Sequence, residues 1–414
     1  MKYLLIIGDG MADNPVSELH DKTPLEVACK PVIDRLCAEG TIGSVINCPK
    51  PLPAGSETAI MSIFGYDPRQ YFTGRSPMEA AASGISLREG DVAYRMNLVT
   101  LEDADDKNWT QKKILSHSAG SIGAEDAFAA VDALEQDERF AALLKKADME
   151  IHRFPAFRQI PVQHGADIAG LVTIPPHDHL GEVIEPLLPS GCKNAELLLE
   201  MMQTAHEVLD HAPFNERRRQ EGKMPANGIW FWAQGTAVSL PQFREKYGHW
   251  GGVISAVPLC HGIGALAGLS MEVVEGATGE IDTNFEGKLE RCRELIKRDD
   301  MDFVCLHLEA PDECTHNGDL EGKIQAIEWL DSRILAPLVE ELERDKVDYR
   351  MLVLSDHKTL TSTRGHDGDA VPFFIYDSTN TCGCKLLYTE SNGLLGDFVQ
   401  NGADLMRLLF ADAN

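Results

Sequence analysis

The sequence predicts an α/β fold built on a mostly parallel sheet, and three observations carry that expectation. Apolar runs at 3–7, 303–308 and 351–354 are each followed closely by a polar, carboxylate-bearing segment. Short, continuously apolar runs suit strands covered on both faces. Amphipathic segments lie between them. Residues 323–342 carry Ile324, Ile327, Leu330, Ile334, Leu335 and Leu338 at three- and four-residue intervals, which predicts one helix. Alternating strand and helix implies right-handed crossovers and a sheet sandwiched by helices.

The first run leads into Gly8-Asp9-Gly10, the second into Glu309-Ala310-Pro311-Asp312, and the third into Ser355-Asp356-His357. The middle of the chain differs, with an acidic helical stretch at 124–147, a Pro/His loop at 174–180 and a polar run at 215–223. The expected organisation is therefore a core domain from residues 1–85 and 236–414, interrupted by a smaller α/β domain at 86–235.

Composition narrows the function. The 414 residues hold 38 Lys+Arg against 65 Asp+Glu, a formal charge of −27, which argues against a nucleic-acid or anionic-membrane binder. The apolar start is broken at Gly8 and Asp9, so it does not read as a secretory signal, and no run approaches the roughly 18 apolar residues of a membrane helix. The ten cysteines are scattered, several in apolar stretches, and Cys382-Gly383-Cys384 lacks the spacing of a zinc or redox motif. A cytoplasmic protein with reduced thiols is expected.

In open α/β sheets, ligands gather beyond the carboxyl ends of the strands. Here each apolar run sends an Asp to that edge, and His316, His357 and His366 lie nearby in sequence. A single such residue reads as a cap or a surface polar group. The set of Asp9, Asp312, Asp356 and three histidines reads as a site for Mn²⁺ or Zn²⁺, which accept mixed oxygen and nitrogen ligands. Ser56 falls where Ile60, Ile63 and Phe64 predict the start of a helix. Alone it would be an N-cap. Beside the Asp/His set it becomes a phosphoryl acceptor, since a helix N-terminus favours a bound phosphate and a metal activates a hydroxyl. No GxxxxGK[ST] motif is present, and the glycines at 262–268 miss the dinucleotide spacing, so no nucleotide-binding motif is evident.

At IIGDGMAD (6–13), PAGSETA (53–59), GYDPRQYFTGRSPMEAAASGI (65–85), APFNERRRQEGKMPANGI (212–229), EGATGEIDTN (275–284), HLEAPDECTHNGDLEGK (307–323) and SDH…GHDGD (355–369), the sequence resembles the archaeal-type cofactor-independent phosphoglycerate mutases of the alkaline phosphatase superfamily. The resemblance covers nearly the whole chain. It implies an alkaline-phosphatase-like core with an inserted substrate-binding lid, and two divalent metal ions. Mn²⁺ is the first choice, with Zn²⁺, Mg²⁺ or Co²⁺ as alternatives. One ion would be held by Asp312, His316 and His366, the other by Asp9, Asp356, His357 and the Ser56 oxygen. It further implies a phosphoserine at Ser56 and interconversion of 3-phosphoglycerate and 2-phosphoglycerate, with a small phosphorylated metabolite as partner.

The chain departs from this pattern where the family carries cations. His117-Ser118-Ala119-Gly120-Ser121 stands for an Arg-rich stretch, Trp232 lies in a strand end that elsewhere holds Arg, and His261 stands for Lys. In these respects the sequence is similar to a bacterial branch proposed to phosphorylate homoserine, so that activity and a metal-dependent phosphatase or phosphodiesterase stay as alternatives. The remaining candidates for substrate binding are Arg75, Arg95, Arg158 and His164.

Overall fold

The structure is a computed structural model and describes residues 1–104, 108–381 and 383–411; Cys382 of the Cys382-Gly383-Cys384 segment lies outside the described residues. The chain forms two compact units, one of Met1–Phe72, Ala81–Ser83 and Ser239–Asn414, the other of Thr73–Ala80 and Gly84–Val238. The segment Thr73–Ala80, which the sequence groups with the core, belongs to the second unit. Thr73 Oγ1 donates to the Thr236 carbonyl at 2.6 Å and Ser76 Oγ to the Ala233 carbonyl at 2.6 Å, bonds that no local sequence pattern announces.

The first unit is organised by an eight-stranded sheet in the order Asp397–Val399, Thr41–Val45, Val371–Asp377, Tyr349–Leu354, Lys2–Gly8, Phe303–Leu308, Gly251–Ile254, Ser270–Glu272. The five strands from Tyr349–Leu354 to Ser270–Glu272 are mutually parallel, and Val371–Asp377 is antiparallel to both its neighbours. Leu4, Leu5, Ile6 and Ile7 have no exposed surface, as a strand covered on both faces requires. The predicted strand exits fall side by side: Lys2–Gly8 pairs with Phe303–Leu308 on one edge and Tyr349–Leu354 on the other.

The single helix expected at 323–342 is three segments, Leu320–Trp329, a π-helical turn Leu330–Leu335, and Ala336–Arg344. Pro337 explains the widened turn, since it has no N–H to offer the carbonyl of Arg333 four residues back.

In the second unit, Val92–Leu101 pairs antiparallel with Arg158–Gln163 on one side and Gly228–Thr236 on the other, and Met149–His152 extends the sheet beyond Arg158–Gln163. The stretch 124–147 is two helices, Ala124–Gln136 and Glu138–Ala147. Asp137 stands between them because its carboxylate caps the second, accepting from the N–H groups of Arg139 and Phe140. The nine described cysteines are free thiols, and no described helix is long and apolar enough to cross a membrane.

Candidate active site

Three adjacent parallel strands deliver the site. Asp9 follows Lys2–Gly8 directly, Asp356 and His357 follow Tyr349–Leu354, and Asp312 and His316 lie on the helix Ala310–His316 that leaves Phe303–Leu308. His366 comes from Gly365–Asp367, which pairs with Lys358–Leu360. Gly10 makes the approach tight. It has φ +60°, its N–H donates to Asp356 Oδ1 at 3.0 Å, and a Cβ there would stand 2.4 Å from Thr359 Oγ1 and 2.8 Å from Asp312 Oδ1.

Among the described residues, two groups of potential metal ligands result, Asp9/Asp356/His357 and Asp312/His357/His366, with His357 common to both. The first is almost wholly buried. His357 Nδ1–H donates to Thr359 Oγ1 at 3.2 Å, and that hydroxyl donates to Asp312 Oδ1 at 2.5 Å. This tautomer leaves the Nε2 lone pair facing Asp356 Oδ2 at 3.1 Å and Asp9 Oδ1 at 3.5 Å. Both carboxylate oxygens are buried and accept no hydrogen bond. Electron pairs from three atoms therefore converge, an arrangement that a divalent cation satisfies. Burial, then the charges of Asp356 and Asp312, push the Asp9 carboxyl well above its ordinary range, whereas burial holds the His357 imidazole neutral by lowering its pKa.

The second group repeats the pattern nearer the surface. His316 Nδ1–H donates to the Arg364 carbonyl at 2.8 Å, so its Nε2 faces Asp312 Oδ2 at 3.1 Å and His366 Nε2 at 2.9 Å. His366 Nε2 lies 3.4 Å from Asp312 Oδ1. The Asp312 carboxylate raises the His316 pKa to about 9. The residues present thus offer overlapping sets of oxygen and nitrogen donors whose chemistry fits divalent cations.

Ser56 does not cap its helix. The helix Ser56–Ile63 takes Gly55 as its N-cap and has no side-chain cap. The Ser56 hydroxyl instead donates to Asp9 Oδ2 at 3.3 Å and lies 3.2 Å from His357 Nε2. Of the sequence candidates, Asp9, Ser56, Asp312, His316, Asp356, His357 and His366 are all brought together. Thr359 was not among the expected residues. Its only sequence signal is its position two residues beyond His357.

A model of the family "2,3-bisphosphoglycerate-independent phosphoglycerate mutase" matches residues 37–215. A protein of that name from Methanosarcina acetivorans is 41% identical over 414 residues, covering 99% of each chain. The chain belongs to this family. Among solved structures, the PH0037 protein of Pyrococcus horikoshii has 30% identity and a TM-score of 0.78, covering 100% of this chain and 98% of its own. The cofactor-independent phosphoglycerate mutase of Thermoplasma acidophilum shares the fold, with a TM-score of 0.65, 24% identity and full coverage of both chains.

The expected substrate residues of this mutase-family chain all lie in the second unit and divide into two places. Arg95 is buried against Glu79: its Nε donates to Glu79 Oε2 at 2.7 Å and its Nη2 to Oε1, while Arg75 Nε lies 3.5 Å from that same oxygen. Arg95 also lies 4.5 Å from the centroid of the Trp232 ring, its register neighbour. Arg158 has the 5.4 Å and 6.0 Å faces of Phe157 and Trp232 beside it, and its Nε is buried with no hydrogen-bond partner. Burial, then Arg95, pushes its pKa down to about 10, against the raising effect of Glu79. His117 stands 5.7 Å from Phe157 and 6.0 Å from His177 by ring centroids, with a buried, unpartnered Nδ1.

His164 does not join this cluster. It sits just past the far end of Arg158–Gln163, six residues from Arg158 and so roughly 20 Å along the strand. Its Nδ1 is held by Asp91 Oδ1 at 2.8 Å. Residues close in sequence stand far apart when they flank one extended strand, so His164 and Arg158 cannot contact one ligand group together.

Proposed function

We propose that the chain is a metal-dependent phosphoryl transferase that interconverts 3-phosphoglycerate and 2-phosphoglycerate through a phosphoserine at Ser56. The observation that carries this reading is the Ser56 hydroxyl, spared from helix capping and aimed between Asp9 Oδ2 and His357 Nε2. In it, Asp9, Asp356 and His357 hold one divalent ion and Asp312, His316 and His366 a second, with Mn²⁺ the preferred metal. Such ions, when bound, neutralise the phosphoryl oxygens and lower the pKa of the nucleophile.

Ser56 Oγ gives up its proton and forms a bond to the phosphorus of the substrate ester. The bond from phosphorus to the substrate oxygen breaks, and that oxygen leaves as a hydroxyl. The other glycerate hydroxyl then attacks the phosphoserine, loses its proton, and restores Ser56 Oγ–H. Asp9 Oδ2, which accepts from Ser56, orients the hydroxyl for the first attack. In the second unit, Arg158 is the guanidinium proposed for the substrate's carboxylate, because its planar fork matches that group and its Nε lacks a partner.

Purified chain supplied with Mn²⁺ and 3-phosphoglycerate should yield 2-phosphoglycerate, read through enolase. The replacement of family arginines and lysine at His117, Trp232 and His261 makes the acceptor the part most exposed to test. No 2-phosphoglycerate, with ATP-dependent phosphorylation of homoserine or another small alcohol instead, overturns the substrate. Release of inorganic phosphate alone makes the chain a hydrolase.

A further inference from the structure

Behind Asp9 lies a buried row of polar groups that the transfer steps do not use. His307 stands in the otherwise apolar strand Phe303–Leu308 and has no exposed surface. Its Nε2–H donates to Asp9 Oδ2 at 3.0 Å. Its Nδ1–H donates to Ser255 Oγ at 2.9 Å, and Ser255 in turn donates to Glu309 Oε1 at 2.9 Å. The Ala256 N–H donates to that same Glu309 oxygen at 2.6 Å. Lys288 Nζ pairs with Glu309 Oε2 and donates to the His307 carbonyl at 2.9 Å. Charges alternate along the row, Lys288, Glu309, His307, Asp9, and each of these side chains is 5% exposed or less.

A carboxylate rotates easily about its terminal bond, since that torsion has only a broad preference. Ser56 alone, through one 3.3 Å bond, is a weak anchor for Asp9. His307 supplies the shorter bond to the same oxygen, and both its ring nitrogens are engaged, so the ring itself is held. Fixing Oδ2 in this way turns Oδ1 toward Asp356 Oδ2 and His357 Nε2.

We propose that His307, locked by Ser255 and Glu309, is a positioning residue that orients Asp9 for metal binding. The inference rests on the two-metal reading above. Its test is isothermal titration of the metal-stripped full chain with MnCl₂. In His307→Leu, one of the two Mn²⁺ sites should weaken by roughly 10- to 100-fold, the usual effect of removing a group that orients a ligand. His307→Gln, which restores an N–H donor, should recover most of that affinity, and Ser255→Ala should lose less than His307→Leu. A folded His307→Leu chain with both affinities as in the wild type overturns the inference. So does a loss confined to the melting temperature of the metal-free chain, the mark of a purely structural role. Should His307→Leu not fold, an unchanged affinity in Ser255→Ala overturns it. A wild-type chain that binds no Mn²⁺ overturns the two-metal reading instead, so the two failures are told apart.

Discussion

The cluster around Asp9 and the cluster around Arg158 are opposite in charge, and each is short of a partner in its own way. In the first unit, carboxylates crowd together and leave two buried oxygens, Asp9 Oδ1 and Asp356 Oδ2, without hydrogen bonds. In the second, Arg158 and Arg95 lie beside an aromatic ring, with Glu79 answering only part of their charge. The histidines follow their immediate surroundings instead: Asp312 holds His316 up to about 9, whereas burial lowers His357 in the first unit and His177 in the second. The first cluster offers lone pairs of the kind a cation would satisfy, and the second a guanidinium of the kind an anion would satisfy.

The strongest way to break the contrast is at the nucleophile. Ser56→Ala should lower mutase activity by about a thousandfold or more while leaving Mn²⁺ stoichiometry unchanged, as checked by enolase-coupled assay and metal analysis. Retention of activity would remove the phosphoserine route altogether.

Next come the ligands. Asp356→Asn and Asp312→Asn should each lose one metal, by more than the roughly 10- to 100-fold typical of an outer-shell change, and the residual metal content should differ in which ion survives. Loss of both ions from either variant would mean that His357, which faces both groups, makes them a single cooperative site.

Arg158→Ala tests the anion side. It should raise KM for phosphoglycerate by roughly 10- to 100-fold, the worth of a charge-assisted hydrogen bond, with a smaller change in kcat. An unchanged KM would make the guanidinium a purely structural partner of Trp232.

The smallest effect concerns His206, whose Nδ1–H donates to the Asn227 carbonyl at 2.6 Å. Its pKa is lowered by burial, so the unfolded chain takes up a proton near pH 6.5 that the folded chain refuses. Its contribution to stability is complete above about pH 6.5 and is lost as pH falls through the folded value. The melting temperature should drop by roughly 2–4 °C more in the wild type than in His206→Gln between about pH 7.5 and about pH 5.

Residue identity and order along the chain determined a good deal here. Largely apolar runs marked Lys2–Gly8, Phe303–Leu308 and Tyr349–Leu354 to within a few residues, because strands buried on both faces admit few polar side chains. The Asp and His residues beyond those runs were legible as a set for the same reason, since parallel strands send their carboxyl ends to one edge. Pro337 was visible too, but the period of the helix around it masked the π turn it forces. What only the tertiary structure decided is which polar atoms are already satisfied. Ser56 is no helix cap because Gly55 takes the capping position, and Arg95 is tied down because Glu79 reaches it from a segment that packs with the second unit. His307 looks like one polar residue in an apolar strand until Asp9 and Ser255 are seen on either side of its ring. Hydrogen bonds of this kind join residues tens to hundreds of positions apart, and their geometry exists only once the sheet has set the register that brings those residues within 3 Å or so of each other.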